Sequence, residues 1–487
     1  MKLTSSIKEN EKALKEKLIS DDIEFLEVKV GDSDGILIFA RDLVDKQLMG
    51  ELVLRPLSQL HGTPKKEDLD ETFLSPEKKE IFTIDDCVSE VVSGNVIFLL
   101  DNVNVAFTFG MKKFQIRSIT EPPTSTVIKG PREGFVESLP VNVSLMRRRI
   151  KSEKLILENM ELGRYSKTAI TLCYIDGIAD SGLVKKLKAK LNEIDIDAIL
   201  DSSYVAKFLG EHKTSLFKQV GNTEKPDILS AKILEGRVAI FVDGSPIVLT
   251  VPYLLLEDFQ SPSDYYNSPY TATAARILRL LSVFLSILLP AFFVSAQLYH
   301  LQFIPLSFLL TIVNSIKGIP LSPSFEMFFT LLIFEILNEA SVRMPKYVGM
   351  AVSIVGGLVL GETAVNAGII SAPTLMIIAL SGICLYTVPE LAQNFSLLRV
   401  LFLLLGGSLG SYGILLGCAI MIIYLVSFEN YSTPLIAPFA PLVTKDLKDS
   451  FYKGFLVEQK ERPYSIKTKN RTRMKKREQG DKNATTT

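Results

Sequence analysis

The strongest constraint on this chain is the near absence of charge between Leu280 and Phe428. Leu280–Ile316 runs 37 residues without an Asp, Glu, Lys or Arg, Thr363–Pro389 another 27, and Val400–Phe428 another 29. A helix needs about 20 mostly apolar residues to cross about 30 Å of hydrocarbon. Soluble core helices are rarely so long and so free of charge. Residues 276–430 are therefore expected to form an α-helical polytopic membrane domain with four to six crossings. Its segments are Leu280–Tyr299, a short re-entrant or interfacial Phe303–Ile316, Glu326–Val342, Tyr347–Asn366, Thr374–Pro389 and a long Arg399–Phe428 that bends or packs tightly at GGSLGSYG.

Charge places the ends. The chain balances 54 Lys+Arg against 54 Asp+Glu, which leaves no overall basic footprint for nucleic acid. The balance hides a basic tail, because residues 445–487 hold 13 Lys/Arg and 6 Asp/Glu. The N-terminus, MKLTSSIKENEKALKEKL, lacks the apolar core of a signal peptide. The first 275 residues and the tail (431–487) are both expected to be cytoplasmic, which requires an even number of crossings. Trp is absent, so Tyr299, Tyr347, Tyr386, Tyr424 and Tyr431 are the candidates for an interfacial aromatic belt. The four cysteines are scattered without a CxxC and the three histidines are far apart, so no metal, cofactor or disulfide framework is expected.

The region in front of the membrane block reads as soluble α/β, in two small subdomains at 1–120 and 151–260. CVSEVVSGNVIFLLDNVNVAFTF (87–109) has the pattern helix end, glycine, strand, tight turn, strand. ILSAKILEGRVAIFVDGSPIVLTV (228–251) repeats it: Gly94 matches Gly236, Asp101 matches Asp243, and Val96 and Phe98 match Val238 and Ile240. Asp-Asn and Asp-Gly tolerate the left-handed backbone that hairpin turns require. Between them, Thr168–Asp180 reads as a buried strand and turn, Ser181–Glu193 as an amphipathic helix, and Ile194–Leu200 as a second strand. No phosphate loop, nucleophile elbow or HExxH is present, so nothing argues for catalysis.

The linker 121–150 is more pointed. Pro122-Pro123 favours extended backbone, and Val143–Ile150 reads as a helix with Arg147, Arg148 and Arg149 spread around it. A stiff strap carrying Arg132, Glu133 and these three arginines suits docking to carboxylates, another subunit or anionic lipid heads.

Charges inside the membrane block default to functional candidates. Glu335, Glu339 and Arg343 share a helix face; Glu339 can pair with Arg343, and Glu335 has no partner on its own helix. In IVGGLVLGETAVNAG, Val355, Val359, Glu362 and Asn366 share a face, flanked by small residues that allow close helix approach. Repeated around a ring of subunits, this is the pattern of a hydrophobic gate beside a carboxylate ring.

EPPTSTVIKGPREGFVESL followed by RRRI resembles the A subunits of bacterial spore germinant receptors of the GerA type. So do GRYSKTAITLCYIDGIAD, QVGNTEKPDI, EGRVAIFVDGSPIVLTVP and MPKYVGMAVSIVGG, in matching order from about Ile81 to Asp449. The resemblance implies a homo-oligomeric subunit of the spore inner membrane, working with a permease-like B subunit that binds the nutrient and a lipoprotein C subunit. On that reading the chain opens an ion path, with Val359 as constriction and Glu362 as cation-attracting ring. The related stage V sporulation AF branch, a channel that amplifies germination, is the alternative. A secondary transporter would show an inverted repeat, and none is visible.

Overall fold

The computed structural model describes residues 1–73, 77–112, 129–345, 349, 357 and 361–474, which divide into two units. The first, soluble unit contains Met1–Tyr253, Asn430–Thr433 and the tail from Leu456; the second, helical unit contains Leu254–Glu429 and Pro434–Phe455.

Within the soluble unit the chain builds one design twice. The first copy runs α1 (Ile7–Lys17), β1 (Ile23–Val30), β2 (Ser33–Ala40), β3 (Lys79–Ile81), α2 (Ile84–Val92), β4 (Val96–Leu100) and β5 (Ala106–Phe109). The second runs α3 (Leu139–Arg149), β6 (Leu155–Leu162), β7 (Thr168–Ile175), α4 (Ser181–Asn192), α5 (Ser202–Leu209), β8 (Gly221–Thr223), α6 (Pro226–Leu234), β9 (Val238–Val242) and β10 (Val248–Val251). Both sheets are antiparallel, with spatial orders β1-β2-β4-β5-β3 and β6-β7-β9-β10-β8. The order is the same, so the repeated helix–hairpin pattern extends to two five-stranded sheets of like topology.

Period-2 alternation makes each sheet apolar on both faces. Ile36, Ile38, Ile97 and Leu99 join the core under α1 and α2, while Leu37, Phe39, Phe98 and Leu100 join a second core closed by residues 46–57 and Phe73. In the second copy Ile170, Leu172, Val238 and Ile240 pack with α4 and α5; Leu155, Cys173, Ala239 and Phe241 pack with α3 and α6. Burial pushes the Cys87 and Cys173 thiols up to about 12, so neither is a nucleophile at neutral pH.

Gly94 and Gly236, at φ 89° and 105°, end α2 and α6 in the left-handed conformation that glycine adopts freely. Gly236 has a second reason: Thr468 of the tail lies where its side chain would be. The tail is a strip laid on the second copy. Thr468 bridges Ala179, the Lys469 amide donates to Ile178 O (3.0 Å), Arg462 Nε donates to Leu234 O (2.6 Å), and Ile466 is buried. Residues 430–433 also belong to this unit: the Tyr431 hydroxyl donates to Leu209 O (2.8 Å) and its amide to Glu211 (2.8 Å). Tyr431 is thus buried in the soluble core and takes no part in an interfacial belt.

Ile194–Leu200 is not a strand. The carbonyls of Ile196 and Asp197 accept from the amides of Arg164 and Tyr165 in the β6–β7 turn, so this segment closes over a hairpin end instead of joining a ladder.

The helical unit holds α7 (Pro269–Tyr299), α8 (Leu306–Ile316), α9 (Pro323–Arg343), α10 (Gly361–Asn366), α11 (Ala372–Leu385) and α12 (Ala392–Ser427). By length and composition α7 and the helical run Pro389–Ser427 can cross a membrane. Inside α12, Gly410 is non-helical (φ 65°, ψ −148°). A side chain on Gly417 would meet the Phe402 ring at 2.9 Å, and one on Gly413 would strike the Leu405 carbonyl. Residues so far apart in sequence lie roughly 12–22 Å apart in a straight helix. The helix therefore doubles back at Gly410, with glycines lining the fold. Tyr299 supports the turn, its hydroxyl donating to Gly407 O (3.1 Å) and Ser408 O (2.9 Å).

Candidate functional site

The strap starts in the described residues at Lys129 and wraps the second copy. Lys225 Nζ, fully buried, donates to Pro131 O (2.6 Å), and the Phe135 amide donates to Glu224 O (2.7 Å). The Phe135 ring stands edge-on to Phe241 at 5.6 Å. Asn142 folds the next turn: its side chain accepts from Val136 N (2.9 Å) and donates to Val136 O (2.5 Å). Asp243 of the β9–β10 hairpin then accepts from Leu139 N (3.0 Å), supplying the α3 cap that Ser138 does not, while Gly244 N donates to Glu137 O (2.8 Å). Thus GPREGFVESL, QVGNTEKPDI and FVDGSP, three separate sequence motifs, meet on one face.

The first copy contains the same joint. Asn10 accepts from Thr4 N (2.9 Å) and donates to Thr4 O (2.6 Å), Asp101 accepts from Ile7 N (3.1 Å), and Asn102 N donates to Ser5 O (2.9 Å). The joint is therefore part of the repeated scaffold.

The arginines of the strap are specific to the second copy. Arg147 is 1% exposed and holds Asp22 of the first copy in a fork, Nε to Oδ2 at 2.8 Å and Nη2 to Oδ1 at 2.7 Å. Nη2 also reaches Ser20 Oγ (2.8 Å), which in turn accepts from Leu157 N (2.9 Å). Planar two-point pairing of this kind fixes orientation as well as charge. Arg148 and Arg149 both pair with Glu133, Arg149 at 2.6 Å. Although partial burial raises the Glu133 pKa, these two guanidiniums more than offset it and hold the carboxyl below its usual range. The three strap arginines thus dock onto carboxylates of their own chain. Arg132 is exposed.

In the helical unit each acid of α9 has a partner. Glu339 pairs with Arg343 at 2.6 Å on an exposed face. Glu335 pairs with Arg399 of α12 and accepts from Ser396 Oγ. Arg399 is fully buried; its Nη1 donates to Ser381 Oγ (3.1 Å), Ser381 Oγ donates to Ser286 O (2.8 Å), and Phe334 lies 5.7 Å beneath the guanidinium. One partly buried ion pair thereby ties α7, α9, α11 and α12 together. Glu326 is also fully buried and accepts from Ser371 N and Oγ, both at 2.7 Å. It sits in the first turn of α9 and at the start of α11, where two helix N-termini favour its negative charge. Glu362 and Asn366 are exposed on α10, and Glu362 makes no hydrogen bond or ion pair among the described residues. Val355 and Val359 lie outside the described residues.

Sequence reasoning missed Asp22, Lys225, Glu326 and Arg399 as partners. Arg399 was legible as a lone cation opening an otherwise uncharged 30-residue run.

Comparison with known proteins settles the family. The family described as Bacillus/Clostridium GerA spore germination protein matches residues 9–465. The chain belongs to this family. The match reaches further in both directions than the motifs alone suggested. Spore germination protein KA of Bacillus subtilis (strain 168) is 36% identical over 466 residues, covering 94% of this chain and 86% of that protein. Spore germination protein GerLA of Bacillus cereus is 32% identical, covering 90% of each. The crystal structure of the N-terminal domain of the A subunit of the Bacillus megaterium spore germinant receptor GerK3 is 30% identical, covering 52% of this chain and 97% of that one, with a TM-score of 0.42. This GerA-family chain is accordingly a spore germination A subunit, with an α/β N-terminal region and an apolar helical C-terminal region.

Proposed function

We propose that this A subunit assembles as a homo-oligomer in the spore inner membrane, with permease-like B and lipoprotein C partners, and converts nutrient binding into ion release. The helix ending at Asn366 lines the pore, Val359 constricts it and Glu362 forms a cation-attracting ring. The observation carrying this reading is the contrast among acids in the helical unit. Glu326, Glu335 and Glu339 are all held by groups of their own chain, whereas Glu362 stands exposed with no polar partner among the described residues. A carboxylate on an apolar helix surface must meet water or a neighbour's charge. In a ring of subunits it meets water on the axis.

The test is cation release from spores carrying Glu362→Gln or Val359→Ala as the sole copy. Glu362→Gln is expected to slow release after nutrient addition, and Val359→Ala to raise leak in dormant spores. Unchanged release and germination in both variants would remove the pore assignment while leaving the membrane assembly standing.

A further inference from the structure

Resting on the reading that the helical unit spans a bilayer, we propose a second membrane contact. Residues 262–270 and 450–455 form an aromatic collar seated in the lipid headgroup layer of one leaflet. The argument begins on α7. Its outward side chains Ile277, Leu278, Leu281, Phe284 and Phe292 are exposed and purely apolar, the surface a lipid-facing helix presents. Towards the helix start the exposed residues become aromatic and amphipathic: Tyr270, which is 75% exposed, then Tyr266 and Tyr265. A segment remote in sequence continues the patch with exposed Phe451, Tyr452 and Phe455, and the Phe455 ring stands edge-on to Tyr270 at 6.0 Å.

What binds the two segments together is charged and in large part buried. Arg276 donates to Asp264 Oδ2 (3.2 Å), Asp449 Oδ1 (3.0 Å) and Ser450 O (3.1 Å). Arg279 donates to both oxygens of Asp264 (2.7 and 2.8 Å) and to Phe259 O (2.7 Å). Lys453 closes the set on Asp449 Oδ1 (3.0 Å) and lies 3.8 Å from the centre of the Tyr265 ring. The segments are thus clasped round the first turns of α7, level with Thr273, whose hydroxyl accepts from Lys453 N (3.0 Å).

This pairing selects its surroundings. Five ionised groups set directly against the rings, Lys453 lying on Tyr265, forbid immersion in hydrocarbon, and six exposed rings in one patch are costly against bulk water. The headgroup layer suits both, because tyrosine keeps its ring in the acyl boundary and its hydroxyl in water. Tyr270 precedes Ile277 by roughly 10 Å of helix, enough to leave the hydrocarbon but not the headgroups. Continuity with the apolar stripe of α7 favours lipid over a second protein surface.

The absence of Trp makes the test clean. Full-length Phe455→Trp, Tyr452→Trp and, as control, Phe284→Trp are reconstituted into phosphatidylcholine–phosphatidylglycerol vesicles carrying nitroxide-labelled lipid. The label sits either near the glycerol or near the chain end. Both collar tryptophans are expected to be quenched roughly twofold or more strongly by the shallow label than by the deep one, and Phe284→Trp the reverse, given a half-thickness of ~15 Å. Collar tryptophans that no label quenches, or that the deep label quenches best, overturn the collar when Phe284→Trp behaves as expected; blue-shifted unquenched emission would then assign the patch to a protein neighbour. If Phe284→Trp is also unquenched, the membrane reading itself fails and takes the collar with it.

Discussion

Lys15 and Arg147 occupy the same turn of equivalent helices, one in each copy of the soluble fold. Both helices are 11 residues long and start after a serine that makes no side-chain cap. Both take their first N–H partner from a hairpin aspartate and their entry turn from a buried asparagine. In the first copy this position is a surface lysine, half exposed and paired with Glu11 one turn earlier. In the second it is a buried arginine locked to the other copy. Duplication supplies a scaffold, and one residue in the last helical turn decides whether that face meets solvent or a neighbouring copy. Exposed i,i+4 pairs stabilise by ~0.3–0.5 kcal/mol, whereas breaking a buried pair by removing one member costs about 3–5 kcal/mol.

Predictions follow from this contrast, and hydrogen exchange on the full-length protein is the suitable measure, because it reports local opening where a single unfolding free energy is ill defined. Arg147→Ala should have the largest effect. It is expected to loosen β1, β6 and α3 together by about 3–5 kcal/mol, while Lys15→Ala changes α1 by less than ~0.5 kcal/mol. Equal, small effects would show that the buried fork does not join the copies. Next come the asparagines. Asn142→Ala and Asn10→Ala each strand two backbone groups and should cost ~1–3 kcal/mol; because the joint is repeated, the two losses should match. A smaller, again paired, loss of about 1 kcal/mol is expected for Asp243→Ala and Asp101→Ala, confined to the first turns of α3 and α1. A marked inequality in either pair would mean that the two copies have diverged in more than their surface.

The mildest prediction concerns acid. Asp42 in the first copy is raised from 3.8 to about 6, first by burial and then by the Asp22 charge. Its contribution is fully present below the unfolded value and lost as pH rises through about 6. Glu133 in the strap is depressed, so its contribution is present above the unfolded value and lost as pH falls through the folded one. Lowering the pH from 7 to 5 should therefore raise the protection factors around β2, each taken against the amide's intrinsic rate at that pH, without lowering those of the strap, and Asp42→Asn should abolish that rise. An unchanged pH response in Asp42→Asn would assign it to another group.

Legibility divides along the same lines. Gly94, Gly236, Asp101 and Asp243 announced the repeat because turn and helix-end chemistry is local: a positive φ or an Asp-Gly turn depends on a few adjacent residues. The asparagine joints left no sequence signal, since a buried Asn in a polar stretch looks like any loop residue. Pairings across long separations were equally silent. Arg147 finds Asp22, and Glu335 finds Arg399, only when sheets or helices assemble. Ile194–Leu200 misled because IDIDAIL alternates as a strand does, yet its carbonyls serve a neighbouring turn. The bend expected at GGSLGSYG is a complete reversal, because its glycines permit a closeness that composition alone does not specify. Of the proposed gate, Glu362 and Asn366 lie on α10 as an exposed acid and amide, while Val355 and Val359 fall outside the described residues.

The return of Asn430–Thr433 and then of the tail from Leu456 into the soluble unit has a topological consequence. On the membrane reading proposed above, a thread that leaves a body and re-enters it makes a round trip, so the passage from Leu254 to Glu429 would cross the bilayer an even number of times. The second excursion, Pro434–Phe455, is far shorter than the ~40 residues that a down-and-up pair of spanning helices requires. On the same reading it goes out and comes home on one side.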